Sequence, residues 1–104
     1  MSDSQRSNWY QTALEEWDFL RNSFDPDEPE WEYGMREILA SLGLALNENP
    51  DHLEARELKV LLMVEQLGAY EEALEEADEL VRRAPNHAAY RHLRDRAQQL
   101  ANAT

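Results

Sequence analysis

Apolar residues recur at steps of three and four along most of this 104-residue chain, and this spacing predicts five helices and no sheet. Stop signals separate the helices, because proline removes a backbone donor and glycine suits the left-handed residue that follows a helix end. These signals fall at residues 25–29, at Asn49-Pro50, at Gly68 and at Pro85. The predicted helices cover about residues 8–24, 30–47, 51–67, 70–84 and 86–101.

Individual residues predict the ends and faces of these helices. Ser7 or Asn8 is the expected N-cap of the first helix, and Asp51 with Glu54 is the expected capping box of the third. Apolar side chains project in almost every direction from the third helix, which places Leu61 within the core. The fourth helix has an acidic face that we expect to be exposed, made of Glu71, Glu72, Glu75, Glu76, Asp78 and Glu79.

The chain also repeats itself with a period of 35 residues. Residues 49–52, Asn-Pro-Asp-His, return as residues 84–87, Ala-Pro-Asn-His. Further matched pairs are Arg56 and Arg91, Leu58 and Leu93, and Lys59 and Arg94. A helix, a proline stop and a second helix therefore recur together, which predicts stacked helix pairs. Such stacks usually present a surface to another molecule.

The second half of the repeat resembles that of the tetratricopeptide repeat family, in which small residues let paired helices pack closely. The residues that carry the resemblance are Gly68, Tyr70, Ala73, Ala77, Leu80 and Pro85. It covers about residues 31–101 and implies an antiparallel helix-pair stack, a TPR-like α-solenoid of about two and a half repeats. The period exceeds the family's 34 residues by one, so registers counted from Pro50 and from Gly68 differ by one residue.

We expect one TPR-like helical domain over residues 1–104. Within it, residues 1–30 form an aromatic-rich first helix and an acidic loop, and residues 31–101 form the repeat-like region. The chain has no cysteine, no leader and no apolar stretch long enough to span a membrane, so we expect a soluble cytoplasmic protein without disulfides.

The net charge of −12 is unevenly distributed. Residues 1–79 carry 21 acidic and 5 basic residues, whereas residues 80–104 carry 5 arginines and Asp95 as the single acid. The negative electrostatic field of most of the chain repels nucleic acid and anionic lipid, and attracts basic partners. General surface acidity is the favoured explanation, and a dedicated acidic binding face is the alternative.

Candidate chemistry is sparse. His52 and His87 occupy matching places in the repeat, but neither has a second ligand at helical spacing, so we assign them structural or incidental roles. The paired glutamates lie on predicted solvated faces, and the three glycines form no phosphate-binding loop. We therefore expect no catalytic residues, no cofactor and no metal site, and predict that the protein is not an enzyme.

Five residues are predicted to bind a partner: Arg56, Lys59, Met63, Arg91 and Arg94. In the tetratricopeptide family the first helix of each unit lines a concave groove. The resemblance therefore implies that these cations grip a carboxylate or acidic stretch of a bound peptide. The competing interpretation is that they pair with neighbouring glutamates of the same chain.

Seven of the nine aromatic residues, including Trp9, Trp17 and Trp31, lie within the first 33 positions. Their helical spacing favours a role in the core. Two alternatives stay open: a recognition surface in which tryptophans and carboxylates hold a basic segment, and an oligomer interface that would make the protein a homodimer.

These observations predict a non-enzymatic protein–protein interaction module, a small TPR-like adaptor or chaperone that holds a peptide or helix of a partner protein. Neither nucleic acid nor a membrane is an expected partner. The alternative is an acidic inhibitor that mimics nucleic acid and blocks a basic protein. Salt would separate the two, since mimicry weakens steeply as ionic strength rises.

Overall fold

The computed structural model describes residues 8–103, and the regular structure in this range is entirely helical. A π-helical turn, Met63–Leu67, continues the third helix. The prediction of an all-α fold with five helices is confirmed for these residues, and the four predicted breaks are present. The helices are α1 (Trp9–Ser23), α2 (Pro29–Glu48), α3 (Leu53–Leu62), α4 (Tyr70–Arg83) and α5 (Ala88–Ala103).

The chain divides into two compact units, Met1–Pro50 and Asp51–Thr104. Unit 1 contains α1 and α2, and unit 2 contains α3, α4 and α5. The single domain over residues 1–104 and the TPR-like stack stay predictions.

Unit 1 is a helical hairpin in which α1 packs along α2. Asn8 caps α1, because its side-chain Oδ1 accepts a hydrogen bond of 3.1 Å from the Gln11 N–H. The other candidate cap, Ser7, lies outside the described residues. The buried residues of unit 1 are Ala13 and Leu20 in α1 and Met35, Ile38, Ser41, Leu42, Ala45 and Leu46 in α2.

A short acidic turn connects the two helices of unit 1. The Asp25 N–H donates to the Glu28 side-chain Oε1 at 2.6 Å, and the Glu28 N–H donates to the Asp25 carbonyl at 3.0 Å. Pro29 opens α2, where the backbone donor that proline lacks would have no partner in the helix. Local interactions therefore close the hairpin.

In unit 2, α4 packs against both α3 and α5. The core is built from α3 and the π turn, from small and large residues of α4, and from one face of α5. Its buried members are Val60, Met63, Val64, Ala73, Ala77, Leu80, Tyr90, Leu93 and Ala97. The alanines of α4 are fully buried, so the neighbouring helices approach its backbone closely there.

The start of α3 differs from the prediction. His52, and not Asp51, is the N-cap, because its side-chain Nδ1 accepts a hydrogen bond of 3.2 Å from the Ala55 N–H. Asp51 lies one residue earlier, and its carboxylate pairs with Arg83 at the end of α4. The predicted capping box with Glu54 is therefore wrong.

The two histidines open helices at matching places in the repeat. The His52 carbonyl accepts the Arg56 N–H at 3.2 Å, and the His87 carbonyl accepts the Arg91 N–H at 3.3 Å. The His87 ring also stacks on Tyr90, with the ring centroids 3.8 Å apart. Both arrangements agree with the structural or incidental roles that the sequence predicts for these histidines.

The end of α3 is the other departure from a regular helix. At the π turn the Gly68 N–H donates to the Met63 carbonyl, five residues earlier, and the Ala69 N–H reaches the same carbonyl at 3.0 Å. Gly68 has a φ of 64°, the left-handed conformation expected of a glycine at this point.

Three burial predictions need correction. Leu61 is half-buried at the edge of the unit 2 core, and its neighbour Val60 is the fully enclosed residue. Glu76 and Glu79, predicted on the exposed face of α4, are half-buried. The Glu76 carboxylate turns toward α3, and the Glu79 carboxylate pairs with Arg83.

Candidate functional site

The first two predicted partner-binding residues, Arg56 and Lys59, lie one turn apart on α3 and converge on a single carboxylate. The Arg56 Nη1 is 2.7 Å from the Glu76 Oε1, and the Lys59 Nζ is 2.7 Å from the Glu76 Oε2. The Arg56 side chain is only 11% exposed and the Lys59 side chain 22%. Arg56 and Lys59 therefore pair with a glutamate of the same chain, as the competing interpretation expects.

The environment of Glu76 favours its charged form. Burial, the largest single influence, raises the pKa of the Glu76 carboxyl, but the hydrogen bonds and positive charges of Lys59 and Arg56 together outweigh it. The pKa of Glu76 therefore lies below its ordinary value of 4.5. A second carboxylate could bind these cations only in competition with Glu76.

The other three predicted partner-binding residues have separate surroundings. Met63 is buried in the unit 2 core. Arg91 is exposed and donates from Nη1 to the Pro85 carbonyl at 2.6 Å. The Arg94 Nη2 is 3.4 Å from the Asp95 Oδ1. Thus two of the five residues gather at one glutamate, and the two arginines of α5 contact groups close to them in the sequence.

A second ionic cluster ties the start of unit 2 to the end of α4. Arg83 contacts Glu79 through Nε at 2.6 Å and also pairs with Asp51. The hydrogen bond from Arg83 is the largest influence on Glu79 and holds the pKa of that carboxyl below its usual range. This cluster joins two parts of unit 2, and we assign it a structural role.

An open apolar surface lies on unit 1, where α1 and α2 leave a groove of about 290 Å³ between them. We call it the hairpin groove. Its walls carry residues at the spacing of one helix face, so each helix contributes a continuous stripe. The lining residues are Glu16, Phe19, Leu20 and Phe24 from α1 and its C-cap, and Glu30, Tyr33, Gly34 and Glu37 from α2.

Two large side chains of the hairpin groove face solvent. Phe19 is 64% exposed and Tyr33 is 67% exposed. Phe19 also contacts Phe24 edge to face, with the ring centroids 6.2 Å apart. The floor is tightly packed, because a Cβ added to Gly34 would lie 2.6 Å from Leu20 Cδ1. The absence of a side chain at Gly34 therefore lets α1 and α2 come together beneath the groove.

The charged groups that line the hairpin groove are all carboxylates. Glu16 is held in place by the Ser41 hydroxyl, whose Oγ donates to the Glu16 Oε1 at 2.8 Å. The two cations in residues 8–50 are engaged elsewhere: Arg21 pairs with Asp18 at 3.3 Å and Arg36 pairs with Glu32 at 2.8 Å. The groove thus combines exposed aromatic surface with negative charge.

The tryptophans and the exposed aromatics of unit 1 have different environments. Trp9, Trp17 and Trp31 are half-buried, and Trp17 meets Trp31 edge to face with the centroids 5.8 Å apart. The Arg21 guanidinium lies 5.7 Å from the Trp17 ring centroid. Tryptophan packing within unit 1 agrees with the favoured interpretation, whereas the open surface is formed by Phe19 and Tyr33. The sequence carries a weak signal for this surface, since Glu16 precedes Phe19 by three residues, and Glu30 and Glu37 lie at helical spacing on either side of Tyr33.

Other kinds of site find little support in residues 8–103. No group of three histidine or carboxylate side chains in this range could share a metal ion. None of its helices has the length and apolar character needed to cross a bilayer. Comparison with protein-family models, curated proteins and solved structures gives no significant match.

Proposed function

We propose that this protein is a non-enzymatic protein–protein interaction module that holds an apolar segment of a partner protein in the hairpin groove. The observation that carries the proposal is the exposure of Phe19 and Tyr33 on the two walls of that groove. Exposed apolar surface that is grouped in a concave site, with a polar rim, is typical of interaction sites.

The dimensions of the groove favour a segment of a protein over a small molecule. Its volume of about 290 Å³ lies at the lower limit of small-molecule pockets, which enclose roughly 300–1,000 Å³ and bury most of their ligand. An open site with exposed aromatic walls is better suited to a few anchoring side chains of a larger molecule.

We also propose that the helices pack as in a TPR-like stack. An adaptor or chaperone role is the function expected of such a stack. Support comes from unit 2, where two features of the resemblance have a structural counterpart: Gly68 is left-handed, and the small residues Ala73 and Ala77 are fully buried. The matching backbone hydrogen bonds of His52 and His87 support a structural repeat as well.

The cationic residues of α3 and α5 are a weaker candidate for the partner site. Arg56 and Lys59 are already paired with Glu76, and Met63 is buried. Arg91 and Arg94 are the more accessible members of the predicted set. A role of these five residues in binding a partner stays a prediction. The acidic inhibitor, the second predicted function, has the net charge of −12 as its support.

Selection of peptides on the immobilised full chain tests the proposal. Peptides from a random displayed library would be synthesised and their affinities measured by fluorescence polarisation. We expect Phe19→Ser and Tyr33→Ser each to weaken binding about tenfold or more, because a buried aromatic contributes about 1.5–3 kcal/mol and 1.4 kcal/mol is a factor of ten. Leu44→Ser is the matched control, since Leu44 is an apolar residue of α2 that is 40% exposed but does not line the groove.

The competing sites give different results in the same experiment. If the selected peptides bind Phe19→Ser and Tyr33→Ser as tightly as the parent, the hairpin groove is not the site. Binding that Arg91→Glu and Arg94→Glu abolish would assign recognition to α5. If the affinity is lost at high salt but is unchanged by all of these substitutions, the result would favour the acidic inhibitor.

A further inference from the structure

We propose, on the basis of the proposed function, that the segment held in the hairpin groove is a short basic amphipathic helix of a partner protein. Its apolar side chains would pack on Phe19 and Tyr33, and its lysine or arginine residues would face Glu16, Glu30 and Glu37.

The charge of the groove selects a basic segment. Three carboxylates line an otherwise aromatic and aliphatic surface, and no lysine or arginine lines it. An apolar occupant removes water from these carboxylates, which is unfavourable unless a cation replaces the lost hydration. Unit 1 as a whole carries eleven acidic and three basic residues, so its field also attracts a basic segment and repels an acidic one.

The geometry of Glu16 strengthens this argument. Ser41, which is 5% exposed, donates a hydrogen bond to one Glu16 oxygen and so restrains the carboxylate at the wall of the groove. A restrained carboxylate loses less conformational freedom when a cation binds it than a fully mobile surface glutamate does. Glu16 is therefore the acidic residue of the groove that is best prepared for a cation.

The walls of the groove select a helix over an extended strand. Both walls are helices, whose backbone donors and acceptors bond within each helix, so they offer an extended peptide no partners for its own backbone groups. A helix satisfies these groups internally and presents only side chains. The α1 wall covers nine residues from Glu16 to Phe24, and the eight steps between them, at about 1.5 Å each, span about 12 Å, or roughly two helical turns.

A second copy of this chain fits the groove less well. Joining two hairpin grooves would bring the carboxylates of one copy against those of the other, with no cation lining either surface. Like charges placed together at an interface are unfavourable. An anionic membrane surface and nucleic acid are disfavoured by the same argument.

Two synthetic peptides of about 14 residues test the inference. Both would carry leucines along one helical face, and they would differ only in having lysines or glutamates beside that face. We expect the lysine peptide to bind the full chain with a gain in helical circular dichroism, and the glutamate peptide to bind at least 100-fold more weakly. The variant Glu30→Gln with Glu37→Gln should weaken the lysine peptide about fivefold to tenfold and reduce its salt dependence.

Glu15→Gln with Glu48→Gln is the matched control, because it changes the net charge equally at exposed positions outside the groove. This control should change the affinity of the lysine peptide less than twofold. A loss equal to that of the groove variant would mean that net charge alone attracts the peptide, and would overturn the inference.

Other outcomes separate the inference from the proposed function. If both peptides bind equally and Phe19→Ser weakens both, the groove binds apolar segments and the preference for basic ones is wrong. If neither binds while library-selected peptides depend on Phe19, the inference fails and the proposed function stands. If sedimentation shows a dimer that Phe19→Ser dissociates, the occupant is a second copy and the inference is overturned.

Discussion

Glu76 shows how strongly the surroundings of one residue depend on the helix that packs beside it. The sequence places it among the acidic residues of α4, yet its carboxylate accepts hydrogen bonds from both Arg56 and Lys59. Burying a carboxylate between two partly buried cations costs free energy, because all three groups lose water. The attraction between the charges offsets this cost only while all three groups are charged. Glu76 therefore links the stability of unit 2 to pH.

We expect Glu76→Gln to lower the free energy of unfolding by about 2 kcal/mol near pH 7, because it leaves two cations without their shared charge. Glu75→Gln is the matched control, since Glu75 is the exposed neighbour. Urea unfolding of the parent and both variants measures the difference. An equal effect of the two substitutions would show that Glu76 contributes no more than a surface glutamate.

We also expect the contribution of Glu76 to the free energy of unfolding to depend on pH. Because the pKa of Glu76 is lowered in the folded protein, its contribution is complete above the ordinary value of 4.5 and is lost as the pH falls through the lower folded value. The stability difference between the parent and Glu76→Gln should therefore be smaller at about pH 3 than at about pH 7, and the loss should occur below about pH 4.5. A difference that stays constant over this range would contradict the ionic role of Glu76.

At the scale of the helices, most of the fold could be predicted from the sequence. Apolar spacing and the proline and glycine stops predict all five helices to within about two residues at each end when the π turn is counted with α3, because these signals are local. The capping residue of α3 could not be predicted, since Asp51 and His52 both carry acceptors and Arg83, distant in sequence, engages Asp51. Which aromatics of α1 and α2 face solvent also depends on packing, so the sequence did not place the hairpin groove.

The core of unit 2 gives a test at this scale. We expect Val60→Asp to unfold unit 2, because Val60 is fully buried and an unpaired carboxylate there costs several kcal/mol. Leu61→Asp should be much less damaging, since the half-buried Leu61 lies at the edge of the core. Thermal unfolding followed by circular dichroism measures both. If Leu61→Asp is the more destabilising substitution, this description of the core is wrong.

At the scale of the whole molecule, the dominant quantity is the net charge of −12. The described ion pairs engage most of the cations, among them Arg96 with Glu65 at 2.7 Å, but acidic residues outnumber basic ones by 22 to 10. The excess carboxylates repel one another in the folded chain more than in an expanded one. Folding is therefore opposed by a repulsion that dissolved salt screens.

We expect the Tm to rise by about 2–5 °C when NaCl is increased from about 0.02 M to 0.3 M, a shift that corresponds to less than about 1 kcal/mol. Glu48→Gln with Asp78→Asn should raise the Tm at low salt and reduce this dependence, because both residues are exposed and neither lies in the first turn of its helix, where a negative charge is stabilising. A Tm that falls as salt increases would show that the ion pairs outweigh the repulsion.

The π turn at Met63–Leu67 is a place where, we expect, the chain can lose one residue and keep its fold. Its hydrogen bond joins Gly68 to Met63, and removal of one exposed residue between them, such as Gln66, would make the same two groups an α-helical pair. One inserted residue is also the amount by which the 35-residue period exceeds that of the tetratricopeptide family.

Loss of a residue within α4 would instead rotate everything after it by about 100° and turn the buried Ala77 and Leu80 away from the core. We therefore expect deletion of Gln66 to leave a folded protein and deletion of Glu75 to abolish folding, as judged by circular dichroism and thermal unfolding. Among homologous chains, single-residue differences in length would then occur at the π turn and be excluded from the middle of α4.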